Sequence, residues 1–211
     1  RSVDHAGLAR MVTATAGSLA AWGVAREDVV GVCLKDSIDH LVANFALARL
    51  GAIILPMDWR WTEAEKAAVA SHFGARLVIV EPDQQPIADI AMTTLDALPQ
   101  PSDGYDEPPV QGANLPLLLS LSSGTTGRPK GPCITHQQML LRFWTHWINL
   151  GLNSTDRYLS ATPLYFGGGR TFAMSVLFSG GTVALFRPSF DAVQLAGEIT
   201  RVNATSGFLV P

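Results

Sequence analysis

Three short apolar runs, Val29 to Leu34, Ala52 to Leu55 and Leu77 to Val80, alternate with stretches of helical periodicity, and this rhythm constrains the fold more than any other feature. Runs that are apolar throughout, with no polar alternation, suit parallel strands buried on both faces. The intervening stretches supply the cover. Leu8, Met11, Val12, Leu19 and Trp22 recur at helical spacing across the first 22 residues. Asp36 or Ser37 is placed to cap a helix whose apolar face is Ile38, Leu41, Val42, Phe45 and Ala48, with Gly51 as its stop. Thr62 and Glu65 have the spacing of a capping box for a helix reaching Phe73, stopped by Gly74. The expectation is an α/β fold of largely parallel sheets covered by helices.

Glu81 to Asn114 breaks the rhythm with prolines and acidic residues and no lysine or arginine. It reads as a surface excursion with one short helical turn around Leu95. Strand and helix patterns then resume. Leu115 to Leu121, Cys133 to Thr135, Tyr158 to Ala161, Thr182 to Phe186 and Ser206 to Val210 read as strands. The helices expected between them start at Thr135 or His136, at Thr171 and at Phe190. In the first of these, Leu140, Phe143, Trp144, Trp147 and Leu150 read as core. The resulting division is a first βαβ subdomain over 1–80, the excursion over 81–114 and a second subdomain over 115–211.

The strand ending at Leu121 feeds Ser122-Ser123-Gly124-Thr125-Thr126-Gly127-Arg128-Pro129-Lys130-Gly131. Nothing in that composition builds a core. Consecutive backbone N–H groups in such a turn form a concave nest for an anion, hydroxyls add donors, and a lysine adds a point charge suited to phosphate. Pro129 restricts the backbone where the lysine is presented. An exposed Gly/Thr turn is the competing reading of the same composition. The loop lacks the G-x-x-x-x-G-K-S/T spacing, because Pro129 follows Gly124 by five and Gly131 follows Lys130. The G-x-G-x-x-G pattern fails too, since Phe172 stands where Gly167-Gly168-Gly169 would need a further glycine.

Composition narrows the function classes. With 47% hydrophobic and 16% charged residues the chain is of the compact globular kind. A net charge of −3 without a basic stripe gives no support to nucleic-acid binding. No apolar run approaches a membrane span, and a cytoplasmic location is expected. Cys33 and Cys133 read as ordinary reduced thiols, and the five histidines lack metal-ligand spacing. An opening at Arg1 and a close after a strand-like run read as a piece of a longer protein, with homodimerisation through uncovered apolar surface as a possible consequence.

The loop in its context resembles the phosphate-binding motif of the adenylate-forming superfamily, the acyl-CoA synthetases, luciferases and peptide-synthetase adenylation domains. The resemblance rests on SSGTTGRPKG followed by His136 in CITH. Val30 to Leu34, Ala46 to Ala52 and Pro56 are similar to an early pattern of the family, and Asp156 to Leu159 with Pro163 to Gly169 to its fourth motif. Phe190-Asp191 and the segment Ile199 to Pro211 are similar to the run that precedes the family's adenine-binding strand. What this implies is activation of a carboxylic acid by ATP to an acyl-adenylate, with Mg²⁺, followed by transfer to coenzyme A. A carrier-protein-loading adenylation unit and a non-catalytic nucleotide- or acyl-binding module are the alternatives. The resemblance assigns ATP binding to Ser122, Ser123, Gly124, Thr125, Thr126, Gly127 and Lys130, catalysis to Thr126 and Lys130, substrate contact to Tyr165, Phe166 and Gly167, and no metal ligand. Gly167 after Phe166 leaves no anion for an ammonium group, which favours a plain aliphatic or aryl acid over an amino acid. Gly167 to Gly169 also reads as a simple tight turn, Arg170 as either a carboxylate contact or a solvated helix-start residue, and His136 as a residue orienting the loop. The adenine, ribose and Mg²⁺ residues and the catalytic lysine of a mobile C-terminal domain are expected beyond Pro211, so these 211 residues are expected to be incomplete for catalysis.

Overall fold

The computed structural model describes residues 1–101, 105, 112, 114–121, 130–186 and 191–209. The chain forms two compact units, Arg1–His136 and Gln137–Pro211.

The first unit opens with α1 (His5–Trp22), capped by the Asp4 side chain on the Gly7 N–H. It continues through β1 (Val29–Cys33), α2 (Ile38–Leu50), β2 (Ile53–Pro56), α3 (Glu63–His72) and β3 (Leu77–Val80). The caps are those read from the sequence. Ser37 accepts from the His40 N–H, Gly51 closes α2 in the left-handed region, and Thr62 with Glu65 forms both bonds of the capping box. The sheet then gains β4 (Met92–Thr93), β5 (Pro116–Leu119) and β6 (Cys133–Thr135), in the order β4-β3-β1-β2-β5-β6. All pairings are parallel except the antiparallel β5–β6. Cys33, Leu55, Met57, Val78 and Val80 pack against Ala70 and its α3 neighbours on one face. Val30, Val32 and Ile54, at 0–1% exposure, show that the opposite face is covered as well.

The second unit holds the rest of α4 (His136–Leu150), then β7 (Arg157–Ser160), α5 (Gly167–Phe178), β8 (Thr182–Leu185), α6 (Ala192–Arg201) and β9 (Ser206–Gly207). Its parallel sheet runs β8-β7-β9. Each unit thus repeats one connectivity, helix first, with the second strand on one side of the first and the third on the other. Right-handed crossovers then put the two connecting helices on opposite faces.

Four expectations change. Residues 115–136 belong to the first unit, because β5 pairs with β2 through Ile54 and Leu118. The excursion is not all surface: Met92 and Thr93 pair with Val78 and Ile79 as an edge strand, Ile87 is 3% exposed, and the expected turn is a 3₁₀ helix at Leu95–Ala97. A two-residue strand is too short to show periodicity. On α4, Met139 and Phe143 are buried but Leu140, Trp144 and Leu150 are exposed, so the apolar stripe is only partly core. Helix α5 begins at Gly167, which makes the three glycines its first turn and not a tight turn. The expected helix start at Phe190 lies outside the described residues, and α6 is capped by Asp191 on the Gln194 N–H.

Candidate functional site

In open parallel sheets, ligands bind beyond the carboxyl ends of the strands, above all where successive crossovers leave in opposite directions. Strand β5 ends at Leu119, and the chain returns along β6 from Cys133. The stem is pinned by Leu119 opposite Cys133 and by the Ser120 N–H donating to the Pro132 carbonyl at 3.0 Å. Between its two arms lie Ser122, Ser123, Gly124, Thr125, Thr126 and Gly127, which fall outside the described residues. Lys130 is described and exposed. Behind it, a Cβ on Gly131 would stand 2.9 Å from the Phe73 ring, so only glycine lets the stem lie this close to the end of α3. Phe73 is a support that the sequence reading missed. No local signal links it to a loop so distant in the chain.

The second unit has its switch point between β7 and β9, and the Pro163–Gly169 segment lies at the carboxyl end of β7. The Thr162 hydroxyl donates to the Phe208 carbonyl at 2.8 Å, which ties the segment to the end of β9. Tyr165 is half-buried, and Phe166 and Gly167 are exposed. Phe166 is the N-cap of α5, makes no side-chain cap bond and leaves 49% of its surface in water. A Cβ on Gly167 would meet nothing within 4 Å, whereas one on Gly168 would strike the Phe208 ring. Tyr165, Phe166 and Gly167 thus form one accessible edge of this unit. Arg170 corrects the reading as a solvated helix-start residue. It is 2% exposed, neither solvated nor turned outward, and its Nη1 donates to the carbonyls of Leu164 and Tyr165 at 3.1 and 3.0 Å.

The family model of the AMP-binding enzymes matches residues 1–211, the whole chain. The chain belongs to the AMP-binding enzyme family. The indoleacetate–CoA ligase of Aromatoleum aromaticum is 31% identical over 231 aligned residues, which take in 100% of this chain and 45% of that protein. The Klebsiella oxytoca NpsA N-terminal subdomain, solved with 3-hydroxybenzoyl-AMSN, superposes with a TM-score of 0.86 at 26% identity, over 99% of this chain and 54% of that one. The o-succinylbenzoate coenzyme A synthetase MenE of Bacillus subtilis, solved with ATP and magnesium, shares the fold with a TM-score of 0.86 at 20% identity, over 98% and 57% of the two chains. The chain spans about half the length of these relatives.

A crevice of about 190 Å³ at the switch point of the first sheet is lined by Lys35, Trp59, Glu81 and Asp83. Lys35 pairs there with Asp83 at 3.6 Å and lies 5.3 Å from the centre of the Trp59 ring. A hollow of about 270 Å³ beside α6, lined by Leu159, Leu195, Ile199 and Leu209, includes none of the expected site residues. Burial pushes the Cys33 thiol up to about 11, so it stays protonated at neutral pH. No helix among the described residues is long and apolar enough to cross a membrane.

His136 opens α4 directly after β6, its N–H donating to the Leu115 carbonyl at 3.0 Å. Burial lowers its pKa, and burial followed by the nearby Arg142 lowers that of His146, which stacks on Phe172 at 4.3 Å. For both, the folded state holds the proton less tightly than the unfolded chain. Their contribution to stability is therefore complete above the unfolded value of about 6.5 and is lost as pH falls through the folded values. Thermal midpoints measured between pH 7.5 and about 5.5 should fall on acidification, and His146→Gln should flatten that slope. An unchanged slope in the variant would exclude His146 as a contributor.

Proposed function

We propose that this chain is the nucleotide-gripping part of a ligase that activates a carboxylic acid with ATP and passes the acyl group to coenzyme A. The observation that carries the reading is the pinned β5–β6 stem, which presents an exposed Lys130 at the carboxyl edge of a parallel sheet, in a chain matched end to end by the AMP-binding family. Attack of a carboxylate on a triphosphate brings anions together, so the site must supply positive charge and N–H donors where charge develops on the leaving pyrophosphate. Lys130 supplies the charge. The backbone N–H groups of Ser122 to Gly127 and the hydroxyls of Ser123, Thr125 and Thr126 supply the donors. Mg²⁺ would neutralise phosphate charge alongside them.

The acid is a plain carboxylate, aryl or aliphatic. Phe166 and Gly167 offer an aromatic face beside open space and no anion to pair with an ammonium group. The similarity to an indoleacetate–CoA ligase supports an aryl acid as the first to test. The decisive assay uses the whole polypeptide that carries this chain. Acid-dependent exchange of pyrophosphate into ATP is expected with arylacetate or benzoate-type acids, together with calorimetric binding of ATP–Mg²⁺. Binding without exchange across a panel of aryl and aliphatic acids would instead leave a nucleotide-binding module. Loading of a carrier protein in preference to coenzyme A would reassign the acceptor.

A further inference from the structure

We infer that Arg170 is a positioning residue whose side chain clamps the Leu164–Tyr165 backbone and so sets where Tyr165 and Phe166 meet the acid. This rests on the proposed ligase function.

Arg170 lies in the first turns of α5, where the helix dipole disfavours a cation. It is almost wholly buried, and among the described residues no carboxylate pairs with it. Its Nε has no hydrogen-bond partner there either. Burial, followed by the nearby Arg142, pushes its pKa down to about 10, so at neutral pH it remains a cation that can only donate. A group this costly to bury is explained by what its bonds hold. One terminal nitrogen donates to two successive carbonyls, Leu164 and Tyr165. The rest of the segment is pinned at its ends. Thr162 is tied to Phe208, and Gly169 packs against the backbone of Thr162 and Pro163. Between those anchors Arg170 governs the two residues that carry the exposed aromatic edge. A lysine would bring a shorter stem, which places its ammonium short of the position that Nη1 holds.

Arg170→Lys and Arg170→Met, made in the whole polypeptide, test the clamp in two ways. Amide hydrogen exchange over residues 164–169 reads the backbone directly, whatever the reaction. It should quicken in both variants, more in the methionine, and stay unchanged along β7 and β8. In kinetics, KM for the acid should rise by about tenfold or more in Arg170→Met, with Arg170→Lys between it and the parent, while KM for ATP moves less than about twofold. Unchanged exchange at 164–169 overturns the clamp. Faster exchange with an unchanged acid KM overturns the positioning role. Parallel loss of acid and ATP binding with a large fall in thermal midpoint makes Arg170 a general stabiliser and overturns it too. If the parent polypeptide activates no acid at all, the ligase reading falls and the positioning role with it, while the exchange pattern still decides whether the clamp exists.

Discussion

Lys130→Ala should lower acid-dependent pyrophosphate exchange by about two to three powers of ten, the loss associated with removing one preorganised donor from a site of developing charge. The lysine is exposed and has no described ion pair, so its removal leaves the packing intact, and the thermal midpoint should not move. That combination separates a catalytic loss from a folding one. Thr126→Ala is expected to fall in the same range, because the proposed reading assigns its hydroxyl to the departing phosphates, where it counts most as charge builds. Lys130→Arg should retain a measurable fraction, since the charge survives while the point geometry of an ammonium does not. Near-parental exchange by Lys130→Ala would remove the phosphate-gripping role from this stem. An equal drop in acid binding and in thermal midpoint would mean that the lysine supports structure.

The second large effect lies in the other unit. Gly169→Ala should lower the thermal midpoint by roughly 6–12 °C, the equivalent of about 3 kcal/mol for a chain of this length. A methyl group there would press into the carbonyl oxygens of both Thr162 and Pro163, and backbone atoms cannot swing aside as a side chain can. Helix α5 would have to lift from the end of β7 and carry Tyr165 and Phe166 with it. Gly167→Ala is the control. Its added carbon meets nothing within 4 Å, so stability should hold while the preference among acids shifts towards smaller ones. Equal stability of the two variants, read by thermal or urea denaturation, would show that the close approach at Gly169 carries no energetic weight.

The ranking of these effects follows from a difference in kind. At Lys130 the proposed role predicts loss of a charge that matters most as the transition state forms, so activity should drop and folding should not. At Gly169 the loss is of space in the ground state, so folding weakens first and activity follows. Arg170 lies between them. Its described hydrogen bonds are to backbone, and that backbone carries the aromatic edge.

Local chemistry was legible in the residues themselves. The capping box at Thr62 and Glu65, the Gly51 stop and the apolar strands each depend on neighbours within a turn or two, and each formed where the pattern placed it. The phosphate-loop reading draws on the same kind of signal, since its glycines, hydroxyls and lysine form one short run, but most of that run lies outside the described residues. Contacts between distant segments were not legible. That β5 joins β2, that Met92 and Thr93 extend an edge, that Phe73 lies under Gly131 and that Arg170 turns inward to its own loop were all decided by packing. Helical periodicity identifies an apolar stripe, but it cannot say which of its residues find a neighbour: Phe143 did and Trp144 did not. The sequence alone determined the caps, the main helices and the buried strands in their order, because these are short-range properties of the chain. Tertiary structure alone decided which side chains support the site, because burial and close approach depend on what the rest of the chain brings alongside.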